Sequence, residues 1–222
     1  MIRFKNVDLL YEMDNPILSD INLHLKKSEI YVIYGASGSG KSTFLETIVG
    51  LKKPSAGIIN YDNINIYDLN EVERTNYRKK HIGYLPQDLT LIESINVKEN
   101  AILGTLISTE DKNMISIYEK SHSLLKELGI SHLEKKKPND LSGGEKRKVE
   151  ITRCFVKDTN IIVMDEPTNN LDTTSIDILI QIIERYNAEG KTFIISTHDS
   201  QIKKIKNSTI LKIINGKLIY EE

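Results

Sequence analysis

GASGSGKS, residues 35–42, sits between Glu29-Ile30-Tyr31-Val32-Ile33-Tyr34 and a run from Ser42 to Val49 with helical apolar spacing. The first flank is β-branched and aromatic, as a buried strand should be. Gly35, Gly38 and Gly40 place no β-carbons where a chain must bend sharply and turn its N–H groups toward an anion. The stretch therefore predicts a strand, a phosphate-cradling loop and a helix whose N-terminus favours negative charge through free N–H groups and the macrodipole. Every position of G-x-x-x-x-G-K-S is filled. In such a loop the lysine, Lys41, reaches the β- and γ-phosphates, and the Ser42 hydroxyl ligates Mg²⁺. Ala36, Ser37, Ser39 and Thr43 complete the expected lining.

Two later stretches extend this reading. Ile161-Ile162-Val163-Met164-Asp165-Glu166 is an apolar strand ending in two acids. Adjacent strand residues point to opposite sides, so the carboxylates should take different tasks. Asp165 suits the Mg²⁺ shell, through water, and Glu166 is free to orient or deprotonate an attacking water. Leu141-Ser142-Gly143-Gly144-Glu145 opens a helix, with Ser142 as N-cap and Glu145 three residues on, as in a capping box. Bare backbone at Gly143 and Gly144 makes this a second helix tip suited to phosphate. One nucleotide has no need of two such tips from the same chain.

At 222 residues, with 39% hydrophobic and 27% charged content, the chain suits one α/β domain with an inserted subdomain. A formal net charge of −1 gives no basic field for nucleic acid. Lys135-Lys136-Lys137 and Lys203-Lys204 read as solvated faces. The single cysteine, Cys154, forms no internal disulfide, fits a reducing compartment and lies in an apolar stretch as a structural thiol. The start, MIRFKNVDLL, lacks the h-region of a secretory leader, and no apolar run approaches the roughly 20 residues that span a bilayer. The expectation is a soluble protein without direct membrane insertion.

Along the chain, residues 1–34 read as strands with a turn at Asp14-Asn15-Pro16, and Ile21 to Leu25 alternates as a half-buried strand. Gly57 to Tyr67 reads as one β segment, Leu69 to Lys80 as a polar helix, and Ile82 to Leu85 as strand. Asp88 to about Val156 is mainly helical. Beyond lie a helix near 173–187, a strand at Thr192 to Ser196, and a β pair joined at Asn215-Gly216. The predicted organisation is a core of about 1–87 and 157–222 interrupted by a helical subdomain of about 88–156.

GASGSGKS, LSGGE and VMDEPTNNLD together resemble the nucleotide-binding subunit of an ATP-binding cassette (ABC) transporter, over essentially the whole chain. The resemblance implies a P-loop NTPase (RecA-like) α/β core with an antiparallel β subdomain and the inserted helices, binding ATP and Mg²⁺. It implies that Gln87 senses Mg²⁺ and the γ-phosphate, that His198 is a switch histidine, and that Tyr11 stacks on adenine. Asp172 in Asn170-Leu171-Asp172 would cross to the opposite subunit, and Leu141 to Glu145 would close on the partner's ATP. A head-to-tail homodimer with two composite sites follows, closing on ATP and reopening after hydrolysis.

Arg78 to Asp88, with Leu91-Ile92 and Val97-Lys98-Glu99-Asn100, resembles the macrolide-exporter and lipoprotein-release (MacB/LolD-like) branch, which includes bacteriocin-export and antimicrobial-peptide-resistance ATPases. Three features depart from that branch: Asn169 stands in place of Gly, Pro86 precedes the glutamine where Phe is usual, and Glu145-Lys146-Arg147-Lys148-Val149-Glu150 replaces a glutamine- and arginine-rich run. The implied function is an ATPase on the inner face of the cell membrane driving an integral-membrane permease of the MacB/FtsX-like type, docked on Asp88 to Leu106. A cell-division ATPase of the FtsE-like type, regulating wall hydrolases, stands as the alternative. A soluble cassette in translation or DNA repair is disfavoured by the single uninterrupted cassette.

Overall fold

A computed structural model describes residues 1–10, 16–108 and 113–221. In chain order the elements are β1 (Ile2–Leu10), β2 (Pro16–Leu25), β3 (Ile30–Tyr34), α1 (Lys41–Ile48), β4 (Ala56–Tyr61), β5 (Ile64–Asn65), α2 (Glu71–His81) and β6 (Ile82–Leu85). They continue with α3 (Val97–Leu106), α4 (Met114–Glu127), α5 (Gly143–Val156), β7 (Ile161–Asp165), α6 (Thr173–Ala188), β8 (Thr192–Thr197), β9 (Ser208–Ile214) and β10 (Lys217–Tyr220).

Two sheets form. One is antiparallel, in the order β2-β1-β4-β5; the other runs β10-β9-β3-β8-β7-β6 and is parallel except for the terminal β10. Parallel strands buried on both faces read as continuous apolar runs, and β3, β7 and β8 do. Their alternation assigns each residue to one of two cores. Tyr31, Ile33, Val163 and Ile194 face α1 and the antiparallel sheet, where Phe44, Leu45 and Ile48 of α1 are fully buried. Val32, Ile162, Met164, Phe193 and Ile195 face the helical layer of α3–α6. Each such buried side chain contributes about 1.5–3 kcal/mol of transfer free energy, which fixes α1 against β3 and so fixes the loop between them.

The parallel register decides where the chemistry lies. Tyr34 pairs with Thr197, Asp165 with Ser196 and Leu85 with Met164, so β3, β6, β7 and β8 end at one edge. The segments after them, beginning Gly35, Pro86, Glu166 and His198, must emerge side by side. Open α/β sheets bind ligands at this carboxyl edge.

Most element expectations match. The half-buried alternation at Ile21 to Leu25 is present, and Asn215 and Gly216 take φ 49° and 72°, as a two-residue hairpin turn requires. The single β segment at Gly57 to Tyr67 is instead broken into β4 and β5, because Asp62 turns left-handed at φ 50° and folds β5 back on β4. Asp14 and Asn15 of the expected first turn lie outside the described residues.

Candidate functional site

The loop after β3 arrives at α1 with Gly40 as N-cap at φ 99°, a left-handed conformation, and no side-chain cap. A Cβ on Gly40 would lie 2.3 Å from Cγ2 of Ile17, and one on Gly35 would lie 2.6 Å from Oγ of Ser39. The loop therefore closes as tightly as the sequence implied. Lys41 is 6% exposed. Its ammonium donates to the carbonyls of Gly35 (2.9 Å) and Ala36 (3.2 Å) and lies 3.2 Å from a Glu166 carboxylate oxygen.

Glu166 leaves β7 with φ 46°, left-handed for a non-glycine residue. Its N–H donates to the carbonyl (3.1 Å) and hydroxyl (3.2 Å) of Ser196 on the neighbouring strand. Its Oε2 accepts from the His198 N–H and lies 2.8 Å from His198 Nδ1. Asp165, one residue earlier, accepts from the Ser196 hydroxyl and is 1% exposed. The two carboxylates thus do have different partners.

These segments enclose a cleft of about 680 Å³, lined among others by Gly38, Lys41, Ser42, Gln87, Glu166 and His198. Ser37, Thr43 and Asn169 also reach it. The Ser42 hydroxyl lies 3.4 Å from Oε1 of Gln87, although 45 residues separate them. Among the described residues nothing hydrogen-bonds the buried hydroxyl of Ser39 in the loop. Asp165 stands behind the lining, held by Ser196. The adenine-stacking expectation for Tyr11 falls outside the described residues.

The second tip is elsewhere. Ser142 caps α5 as expected, its hydroxyl accepting from the Glu145 N–H, while the Glu145 carboxylate accepts from the Ser142 N–H (2.7 Å) and hydroxyl (2.8 Å). Those bonds hold the Glu145 carboxyl below its ordinary value. Asp172 caps α6 by accepting from the Ser175 N–H at 2.7 Å, which lowers its pKa likewise. Ser142, Gly144, Glu145 and Asp172 line a separate cavity of about 440 Å³. A Cβ on Gly144 would fall 2.5 Å from the Asn170 carbonyl, so α5 and the loop after β7 touch backbone to backbone. Leu141 is buried below the tip. Within one chain, the two phosphate-suited tips serve two different cavities.

Residue-by-residue reading missed Ser196, which ties Asp165 to Glu166, and Arg147, which is fully buried. Ser196 lay inside an apolar strand run; its position two residues before His198 was the only signal.

Comparison with known proteins bears on all of this. The ABC transporter family model matches residues 18–169. The chain is 33% identical to the lipoprotein-releasing system ATP-binding protein LolD of Colwellia psychrerythraea, over 93% of this chain and 80% of that protein. It is 35% identical to the ABC transporter ATP-binding protein MJ0796 of Methanocaldococcus jannaschii, over 100% and 97%. The macrolide export ATP-binding/permease protein MacB of Campylobacter jejuni is 32% identical over 93% of this chain, which spans only 32% of MacB's length. Among solved structures, the dimeric post-hydrolysis MJ0796 cassette bound to ADP and Pi superposes with a TM-score of 0.92 at 31% identity, covering 100% of this chain and 98% of that one. Motifs, sheet order and relatives agree: this chain belongs to the ABC transporter family, as an ATP-binding cassette.

Proposed function

We propose that this chain is the ATP-hydrolysing subunit of an ABC exporter of the macrolide-export and lipoprotein-release branch, working as a head-to-tail homodimer on a membrane permease. The observation that carries the reading is the convergence of Lys41, Ser42, Gln87, Glu166 and His198 on one cleft, with Ser142 and Gly144 facing another. Two copies related by a two-fold axis would bring each Ser142 tip onto the other's Lys41 loop.

The Lys41 ammonium has three protons, shared here among two loop carbonyls and Glu166. ATP phosphates in the cleft compete for them, and the left-handed turn leaves Glu166 aimed into the same space. Freed from Lys41, Glu166 orients or deprotonates the attacking water, and His198, bonded to it, reports on the γ-phosphate position. The donor set also suits Mg²⁺: Ser42 and Gln87 offer oxygen ligands to a hard cation, with Asp165 behind them acting through water. Among the described residues no cluster of three or more His, Cys, Asp or Glu forms a metal site by itself; Ser42, Gln87 and Asp165 would hold the ion together with the nucleotide. When bound, the ion neutralises charge developing on the phosphate oxygens.

The permease docks on the groove between the Asp88-to-Leu106 segment and the parallel sheet. This cavity of about 350 Å³ is walled by Arg78, Lys79, Leu103, Ile107, Arg153 and Lys157. Exposed Leu51 and Ile107 give it an apolar rim. Among the described residues no helix is long and apolar enough to cross a membrane. In this reading the inner-face location comes through that permease.

The test is Glu166→Gln. Turnover should fall by about 10²–10⁴, the usual worth of a general base, while Mg²⁺ATP binding persists and a stable dimer accumulates on size exclusion. Undiminished turnover would remove Glu166 as the base; a strictly monomeric, ATP-saturated variant, even beside its permease, would remove the composite site.

A further inference from the structure

Arg147 is the fully buried cation of α5, at 0% exposure, and it lies in the run that departs from the family's glutamine- and arginine-rich pattern. Its guanidinium donates to backbone carbonyls of two separate loops. One terminal nitrogen reaches the Pro86 carbonyl at 2.6 Å, immediately before Gln87. The other reaches the carbonyls of Asp165 (2.6 Å) and Glu166 (2.8 Å), and Nε reaches that of Pro167 at 3.4 Å. Glu150, one turn along α5 and 1% exposed, supplies the counter-charge at 3.3 Å. The same carboxylate accepts from the N–H and hydroxyl of Thr90, three residues past Gln87. The pair therefore brackets the glutamine loop on both sides and clasps the left-handed Glu166 turn from below.

We propose that Arg147, with Glu150 as its partner, is a positioning residue. It fixes the Gln87 loop and the Glu166 carboxylate to the helix whose tip, Ser142, serves the opposite nucleotide. A planar fork of donors is needed for this task. A lysine supplies the charge at a single point and cannot span carbonyls on both loops. The consequence is mechanical: motion of α5 when its tip meets a phosphate is delivered to the water-orienting carboxylate of its own cleft. This rests on the composite-site reading above.

The experiment is Arg147→Lys in the full chain, with steady-state ATPase, affinity for a fluorescent ATP analogue with Mg²⁺, and melting temperature measured together. Misplacing a reacting group by about 1 Å costs up to about a hundredfold in rate. At least about a tenfold loss of kcat is therefore expected, with nucleotide affinity changed less than about twofold and Lys41 undisturbed. A merely structural role would lower kcat, affinity and melting temperature together. Turnover within about twofold of the parent in a folded Arg147→Lys protein overturns the proposal. If that variant melts early, Arg147→Gln/Glu150→Ala removes both buried charges at once. It should fold and bind nucleotide, with kcat down at least about fivefold; full kcat would overturn the proposal. Glu166→Gln, run alongside, separates the readings: an active Glu166→Gln protein sinks the base assignment, whereas a dead one beside an active Arg147→Lys sinks only this inference.

Discussion

The tips of α1 and α5 both open on glycine-lined backbone, yet they are finished in opposite ways. At α1 the N-cap is Gly40, which offers no side-chain cap, and the buried Lys41 adds a positive charge. At α5 the box formed by Ser142 and Glu145 engages the N–H groups of those two residues internally and adds a carboxylate. In the proposed site the first tip is complete for an anion. In the proposed dimer the second would gain from a phosphate only when the phosphate arrives with its charge already balanced, as it would from a partner's Lys41 loop. In the proposed homodimer that asymmetry would make closure of two chains depend on nucleotide, where two equally strong tips would each bind free phosphate.

Three changes press on this contrast, in falling order of effect. Lys41→Ala removes the cation from the strong tip. A charge-assisted contact is worth about 1.5–3 kcal/mol, so nucleotide affinity of the single chain should fall by roughly one to two orders of magnitude, read by equilibrium titration. Affinity that survives unchanged would mean that the backbone N–H groups alone make the site. Gly144→Ala acts on the weak tip. The new Cβ, 2.5 Å from the Asn170 carbonyl, must push α5 away from the loop bearing Asp172. Single-chain nucleotide binding should be retained while ATP-dependent dimerisation and turnover fall by about tenfold, the scale of an overpacking cost of roughly 1–3 kcal/mol. Loss of nucleotide affinity in this variant would erase the separation of the two cavities.

How much of this was legible from residues follows the same division. The strong tip is written locally: strand, loop, lysine and helix adjoin in sequence, and parallel pairing of apolar strands then forces Gly35, Glu166 and His198 to one edge. The Ser142 box is local too, and it was anticipated. The long-range ties made by Ser196, Arg147 and Glu150 were not. Lys146 to Glu150 reads as a charged stretch on a helix, and charged side chains on a helix ordinarily face water. Arg147 and Glu150 are nevertheless buried, because carbonyls at 86 and 165–167 and the backbone of Thr90 satisfy them. No spacing rule reports such partners. The break at Asp62 was lost for a different reason: a single left-handed residue interrupts a run whose β propensity is otherwise continuous.

The smallest change asks whether the carboxylate at the weak tip matters. Glu145→Gln keeps the capping box, since an amide can also accept from the Ser142 N–H, but removes the charge. Exposed charges contribute about 0.2–1 kcal/mol, so ATP-dependent dimerisation of a hydrolysis-deficient background should tighten by no more than about fivefold. The gain should shrink as salt is raised, because screening weakens the repulsion being removed. The pH dependence has a definite sign. Hydrogen bonds from Ser142 depress the folded Glu145 pKa below its ordinary value of 4.5. The box's contribution to stability is therefore full above that ordinary value and is lost as pH falls through the depressed one. Between pH 6 and 8 the group stays ionised, so the ratio of variant to parent dimer affinity should be flat across that range. A ratio that rises steeply with pH there would show that a different group, titrating near neutrality, sets the electrostatics of the weak tip.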